Sequence, residues 1–142
     1  MDSFNTDFRL IPRYPPQTLV FMELHSTQAA VCKRFGVVPQ LVQGHDRLGI
    51  ALATLDLLPI NGLRIPALSG ATGWYIFGGD QHEDADDFYS PLCVKHLKKY
   101  CKISIPYLCL PAGWRFQIDW NGYEDVWYDK TLLKPKRESN GG

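Results

Sequence analysis

The sequence predicts an α+β fold, a single domain with a mainly antiparallel sheet and about two helices packed on it. Three observations carry this. Trp114 to Trp120 alternates strictly between apolar and polar residues and runs into Asn121-Gly122, a strand followed by hairpin-turn chemistry. Two stretches, 26–36 and 90–101, carry helix punctuation. The elements also fail to alternate strand, helix, strand as a parallel α/β chain does, which favours antiparallel pairing.

Taken in order, residues 1–16 carry Pro12, Pro15 and Pro16 and read as an extended arm. Thr18 to Met22 is short, apolar and β-capable. A helix follows, with Ser26 or Thr27 as N-cap, Lys33-Arg34 in the last turn and Gly36 as the left-handed stop. Val37 to Gln43 contains Pro39 and reads as a connection or a short edge strand. Leu48 to Leu55 is continuously apolar and suits a buried central strand, with a helix as the alternative because of its alanines. Residues 59–73 hold Pro59, Asn61-Gly62, Pro66 and further glycines, and read as loop.

Trp74 to Phe77 reads as a strand stopped by Gly78-Gly79. Ser90-Pro91 then supplies the N-cap and first residue of a second helix, with Cys93, Leu97, Tyr100 and Cys101 on one face and Lys95, Lys98 and Lys99 largely on the other. The hairpin closes the fold, and with a two-residue turn it sets Trp120 against Tyr123, Ile118 against Asp125 and Phe116 against Trp127. Asp119 then faces Glu124. The domain reading is 1–16 arm, 17–133 domain and 134–142 flexible tail.

Composition narrows the function. Fifteen basic and fifteen acidic residues cancel to a formal charge of zero. A neutral domain lacks the basic footprint of a general nucleic-acid binder and gives no reason to invoke an anionic membrane. The acidic N-terminus is unlike a secretory signal, and no run approaches the ~20 apolar residues of a membrane span, so a cytoplasmic protein is expected. The four cysteines form no Cys-x-x-Cys, and read as reduced core thiols.

Chemistry-bearing residues are scarce. There is no Gly-x-Ser-x-Gly, phosphate-binding loop or zinc-protease signature. His96 reads as a surface residue, and His82 sits among acids in a poor platform for proton transfer. No catalytic residue, metal ligand or cofactor is therefore expected. Asp80, Glu83, Asp84, Asp86 and Asp87 form an acidic loop without the ligand order of a calcium site. It reads either as a solvated segment capping the next helix or as a docking surface for a basic partner. In the hairpin, two opposed carboxylates and an acid beside Ile118 are local conflicts, to be relieved by a shifted register, a cation inside the protein or one on a partner. Solvation at a hairpin tip is the plainer account. Trp120 and Tyr123, at the turn, are candidate binding anchors.

Five ordered blocks complete the reading: Gly49-Ile50-Ala51-Leu52, Pro59-Ile60-Asn61-Gly62-Leu63-Arg64, Gly73-Trp74-Tyr75-Ile76, Leu110 to Phe116, and Gly122 to Trp127. In this order they resemble the bacterial immunity protein thirty-three-like family of polymorphic toxin systems, over about residues 46–133 and more weakly at 26–36. The resemblance implies an inhibitor that binds and neutralises a cognate toxin protein, with no catalytic residues to carry over; steric occlusion through the acidic loop and the hairpin tip is the expected mode. The expected partner-binding residues are Asp80, Glu83, Asp84, Asp86, Asp87, Trp120, Tyr123, Glu124 and Asp125. A small-molecule-binding domain or cryptic enzyme, with a pocket floored by residues 69–79, is the alternative. A homo-oligomer is left open.

Overall fold

The computed structural model describes residues 25–80 and 87–134. The expected arm, the strand at Thr18 to Met22 and the tail beyond Lys134 lie outside the described residues. Among the described residues six strands form one sheet: β1 Arg47–Ile50, β2 Ile60–Arg64, β3 Ala71–Gly78, β4 Ser90–Cys93, β5 Trp114–Ile118 and β6 Glu124–Tyr128. Their order is β4-β1-β3-β2-β5-β6. Only β1 and β3 run parallel; every other pair is antiparallel. The α+β fold is thus as the sequence predicts.

The first expected helix forms as α1, Ser26–Arg34, with Gly36 at φ 69° behind it. Its cap is His25 rather than Ser26 or Thr27. Ala29, Val31 and Cys32 turn inward. Gln28 donates to the Ile105 carbonyl at 2.9 Å and so ties α1 to the 3-10 turn Lys102–Tyr107. Together they cover one face of the sheet. There Leu48, Ile50, Ile60, Trp74, Ile76, Phe116 and Ile118 form the core, with the Trp74 and Phe116 rings 5.3 Å apart.

The second helix is not formed. Ser90–Cys93 is strand β4, and Val94–Lys99 is a 3-10 turn. Pairing overrides the local helix signals, because Leu92 lies opposite Leu48 and Ser90 opposite Ile50 along the free edge of β1. Of the expected apolar face, Leu97 and Cys101 are buried while Tyr100 is exposed. The strand expected over Leu48 to Leu55 stops at Ile50, and Leu52–Thr54 turns as a 3-10 segment.

The loop expected at 59–73 contains β2, which occupies a central position and is buried at all five residues. Gly62 reads as turn chemistry in the sequence, yet a Cβ there would lie 2.2 Å from the Phe116 ring. The missing side chain makes room for the neighbouring strand's aromatic residue. Cys32, Cys101 and Cys109 are buried free thiols, and burial pushes Cys32 up to about 11 and Cys109 up to about 12. Cys93 is half-buried at the end of β4, and Cys101 follows a 3-10 turn, so neither lies on the expected α-helical face.

Candidate functional site

The register sets Gly78, Ile60, Ile118 and Glu124 in one row across β3, β2, β5 and β6. Ile50 and Ser90 pair at the same end of β1 and β4. Three connections, 51–59, 79–89 and 119–123, therefore leave one end of the sheet together. Asp80 and Asp87, the two described residues of the acidic segment, and the hairpin tip, read separately from the sequence, share this end. Asp80 and Asp87 are exposed, while Glu83, Asp84 and Asp86 lie outside the described residues. The sequence reading missed a third contribution, in which Leu52, Leu57 and Leu58 are exposed at 42%, 51% and 47% on the first connection. A run of exposed leucines so close in sequence is a signal that hydropathy alone hides, because it merges with the buried residues before it.

The hairpin differs from the two-residue turn expected. Ile118 faces Glu124, Gln117 faces Asp125 and Arg115 faces Trp127, a shift of one residue. The loop spans 119–123. Asp119 accepts the backbone N–H groups of Asn121 at 2.8 Å and Tyr123 at 2.9 Å, so its carboxylate shapes the loop instead of opposing Glu124. Gly122 takes φ 96°, which the turn requires. The shift removes the opposed carboxylates, but it sets Glu124 in place of Asp125 opposite Ile118, so an acid still faces that residue.

Glu124 finds its cation inside the protein. Arg34, in the last turn of α1, donates Nη1 to Oε1 and Nη2 to Oε2, both at 2.8 Å, and the Tyr107 hydroxyl also donates to Oε2. The fork geometry of arginine matches a carboxylate, which makes this pair directional as well as charged. The Arg34 bonds hold the Glu124 carboxyl at about 2, while burial, followed by the neighbouring carboxylate, pushes the Tyr107 hydroxyl well above its ordinary range. Tyr107 in turn stacks on the core ring of Phe116, with centroids 5.0 Å apart. Neither Arg34 nor Tyr107 was legible as a partner of Glu124, since sequence separation hides both.

This cluster holds the hairpin against the 3-10 turn Lys102–Tyr107 and leaves an open cleft of about 430 Å³ between them. Ile103, Pro106 and Tyr107 form one wall; Ile118 to Trp120 and Gly122 to Glu124 form the other. None of residues 69–79 lines it. Trp120, 59% exposed, and Tyr123, 47% exposed, stand at its rim. Asp125 is exposed opposite Gln117, and no ion pair holds it among the described residues. Among those residues, too, no group of three histidine, cysteine or acidic side chains could hold a metal ion, and no helix is long and apolar enough to cross a membrane.

The arrangement offers rigid aromatic anchors, an apolar patch and acidic groups on one end of a sheet. These are the ingredients of a protein contact. The model of the Imm33-like domain matches residues 27–129, most of the chain. The chain belongs to the Imm33-like family. No curated protein and no solved structure matches it.

Within this Imm33-like domain, the five sequence blocks that carry the resemblance fall on the strands and the turns next to them. Asn61 donates to the Gly79 carbonyl at 2.6 Å and accepts from Gln117 at 2.8 Å, tying β2 to its neighbours. Arg64, buried to 1% exposure, donates to the carbonyls of Thr72, Gln40, Leu108 and Leu110 at 2.8 to 3.0 Å. Trp74 Nε1 donates to the Leu108 carbonyl at 2.8 Å. These residues hold connections to the sheet; they present nothing to a partner.

Proposed function

We propose that this Imm33-like protein is an immunity protein that binds a cognate toxin and neutralises it by steric occlusion, acting by binding and not by turnover. The family supports the immunity role. The observation that carries the choice of surface is the gathering of three connections at one end of the sheet, where Trp120 stands 59% exposed beside an open cleft. On this reading Trp120 and Tyr123 are the anchors, and Leu57 extends the apolar contact. Asp80, Glu83, Asp84, Asp86, Asp87 and Asp125 meet basic groups of the toxin and speed its encounter. Glu124, already paired with Arg34, has the different task of holding the hairpin in place.

The test is to co-express the protein with a toxic domain encoded beside its gene, scoring growth rescue and the affinity of the purified pair. Trp120→Ala is expected to weaken the complex by about 2 kcal/mol or more, roughly thirtyfold, while changing the folding free energy by less than ~0.5 kcal/mol. Unchanged affinity in Trp120→Ala and in the pair of charge reversals Asp87→Lys and Asp125→Lys would remove this surface from the proposal.

A further inference from the structure

Among the described residues the sheet ends in two edges, β4 and β6, and the hydrogen-bond phase of each decides what it shows to solvent. Val94 N–H donates to the Asp46 carbonyl at 2.9 Å, so the bonded pairs of this ladder are 46/94, 48/92 and 50/90. Pro91 and Cys93 are then the residues of β4 whose backbone faces outward, and Pro91 has no N–H to offer. This edge is blunted by a proline at an outward-facing position.

On β6 the phase is fixed by two bonds. Asp119 N–H donates to Tyr123 at 3.2 Å, and Asp129 N–H donates to Gly113 at 2.7 Å. The bonded pairs with β5 are therefore 115/127 and 117/125, and Glu124, Val126 and Tyr128 point their N–H and C=O groups away from the sheet. Among the described residues nothing pairs with them. The strand Glu-Asp-Val-Trp-Tyr contains no proline, glycine or lysine, and natural edges left this open invite another strand. The chain's formal charge is zero, so no net repulsion keeps two copies apart.

We infer that β6 pairs antiparallel with β6 of a second copy of this chain, about a two-fold axis at Val126, joining the two sheets into one. The charges select this register. Placing Glu124 against Glu124, or Asp125 against Asp125, opposes like charges, and the slip in the other direction sets Asp125 against Asp129. The register centred on Val126 sets Glu124 against Tyr128 and Asp125 against Trp127, and it uses all three outward residues of each copy. A second observation fits it. The Arg115 guanidinium lies 5.5 Å from the Trp127 ring centre, and its Nε is buried without an acceptor, while Asp125 lacks a cation among the described residues. The dimer brings the Asp125 carboxylate of one copy beside the ring that Arg115 of the other covers. Because the strands run in opposite directions, the ends that carry Trp120, Tyr123 and Asp87 stay free at opposite ends of the joined sheet, while Asp125, which lies on β6, is open to the toxin only in the monomer.

The test needs no toxin. Sedimentation of the whole chain from about 1 to about 500 µM, a span suited to a small interface, is expected to show a monomer–dimer equilibrium. Val126→Pro removes an N–H that faces away from β5 and leaves the β5 ladder whole. It is expected to raise the dimer dissociation constant roughly thirtyfold, since one bond is lost on each copy. Amide exchange of the unaltered chain supplies a readout without a variant. On concentration, the amides of Glu124, Val126 and Tyr128 slow at least about tenfold, while those of Asp125 and Trp127, already bonded to β5, do not change. A monomer at every concentration overturns the inference. So does a dimer whose Glu124, Val126 and Tyr128 amides stay unprotected, or one that Val126→Pro leaves intact. Protection that appears only when a foreign protein is added also overturns it and assigns the edge to that protein.

Discussion

Arg64, at the end of the buried strand β2, and Arg34, at the end of α1, are both held by oxygen acceptors, but of different kinds. Arg64 is buried and its bonds go to backbone carbonyls on three separate stretches of chain, Gln40, Thr72 and Leu108 to Leu110. Burial lowers its pKa to about 10, still charged at neutral pH. Arg34 is half exposed and makes a bidentate pair with a carboxylate at the hairpin. One arginine substitutes for secondary structure where the connections have none; the other positions a surface feature. Most of the blocks that mark the family encode the first kind of residue, although the last, Gly122 to Trp127, also carries Tyr123, Glu124 and Asp125. The surface proposed to meet a partner is built partly from residues outside those blocks, Leu57, Asp80 and Trp120 among them.

The largest effect expected from this contrast belongs to Arg64. Replacing a buried ion pair with apolar residues is often tolerated, because both charges leave together. Here the acceptors are carbonyls that cannot leave. Arg64→Met should therefore strand the Gln40, Thr72 and Leu110 carbonyls, Leu108 keeping its bond from Trp74, and cost about 3–5 kcal/mol in the folding free energy, measured by denaturant unfolding. A loss below ~1 kcal/mol would mean that water or neighbouring groups satisfy those carbonyls, and the contrast with Arg34 would fail.

Gly62 comes next. Its absent Cβ would sit 2.2 to 2.3 Å from Cε2 and Cζ of Phe116, inside the core and without help from a flexible neighbour. Gly62→Ala should cost about 1–3 kcal/mol through overpacking, and Phe116→Leu should recover part of that loss in the double variant. Additive losses in the two variants would show that the ring is not what requires glycine here.

Gly62 also shows what was legible in the sequence and what was not. The strands at 74–77 and 114–118, the hairpin itself and α1 were readable because alternation, aromatic content and helix punctuation are local signals. β2 was unreadable as a strand because Pro59, Asn61-Gly62 and Pro66 are turn residues by every local rule. Their reasons are tertiary: Gly62 yields to Phe116, and Asn61 reaches Gly79 and Gln117. The helix expected from Ser90 failed for the converse reason, since good local helix signals lost to the free edge of β1. At the hairpin, the clash of charges was legible as a conflict with three remedies. Both the shifted register and an internal cation are used. The identity of that cation was hidden, because Arg34 is distant in sequence.

The smallest expected effect concerns that pair and has a direction in pH. Glu124 is held at about 2 in the folded protein, against an ordinary value of 4.5. A carboxyl depressed by folding contributes stability that is fully present above its unfolded value and is lost as pH falls through the folded value. The contribution should thus be constant above about pH 5 and disappear between pH 4.5 and about pH 2. Because the Arg34 side chain is 51% exposed, water screens the pair and the effect should be about 1 kcal/mol. Unfolding the parent chain and Glu124→Gln in parallel at neutral pH and near pH 2 isolates it, since the other carboxylates contribute alike to both. The difference should be about 1 kcal/mol at neutral pH and close to zero near pH 2. A difference as large as that expected for Arg64 would make the hairpin cluster part of the architecture. One that is absent at neutral pH would show that the Tyr107 and Arg34 contacts fix the position of the hairpin without stabilising the fold.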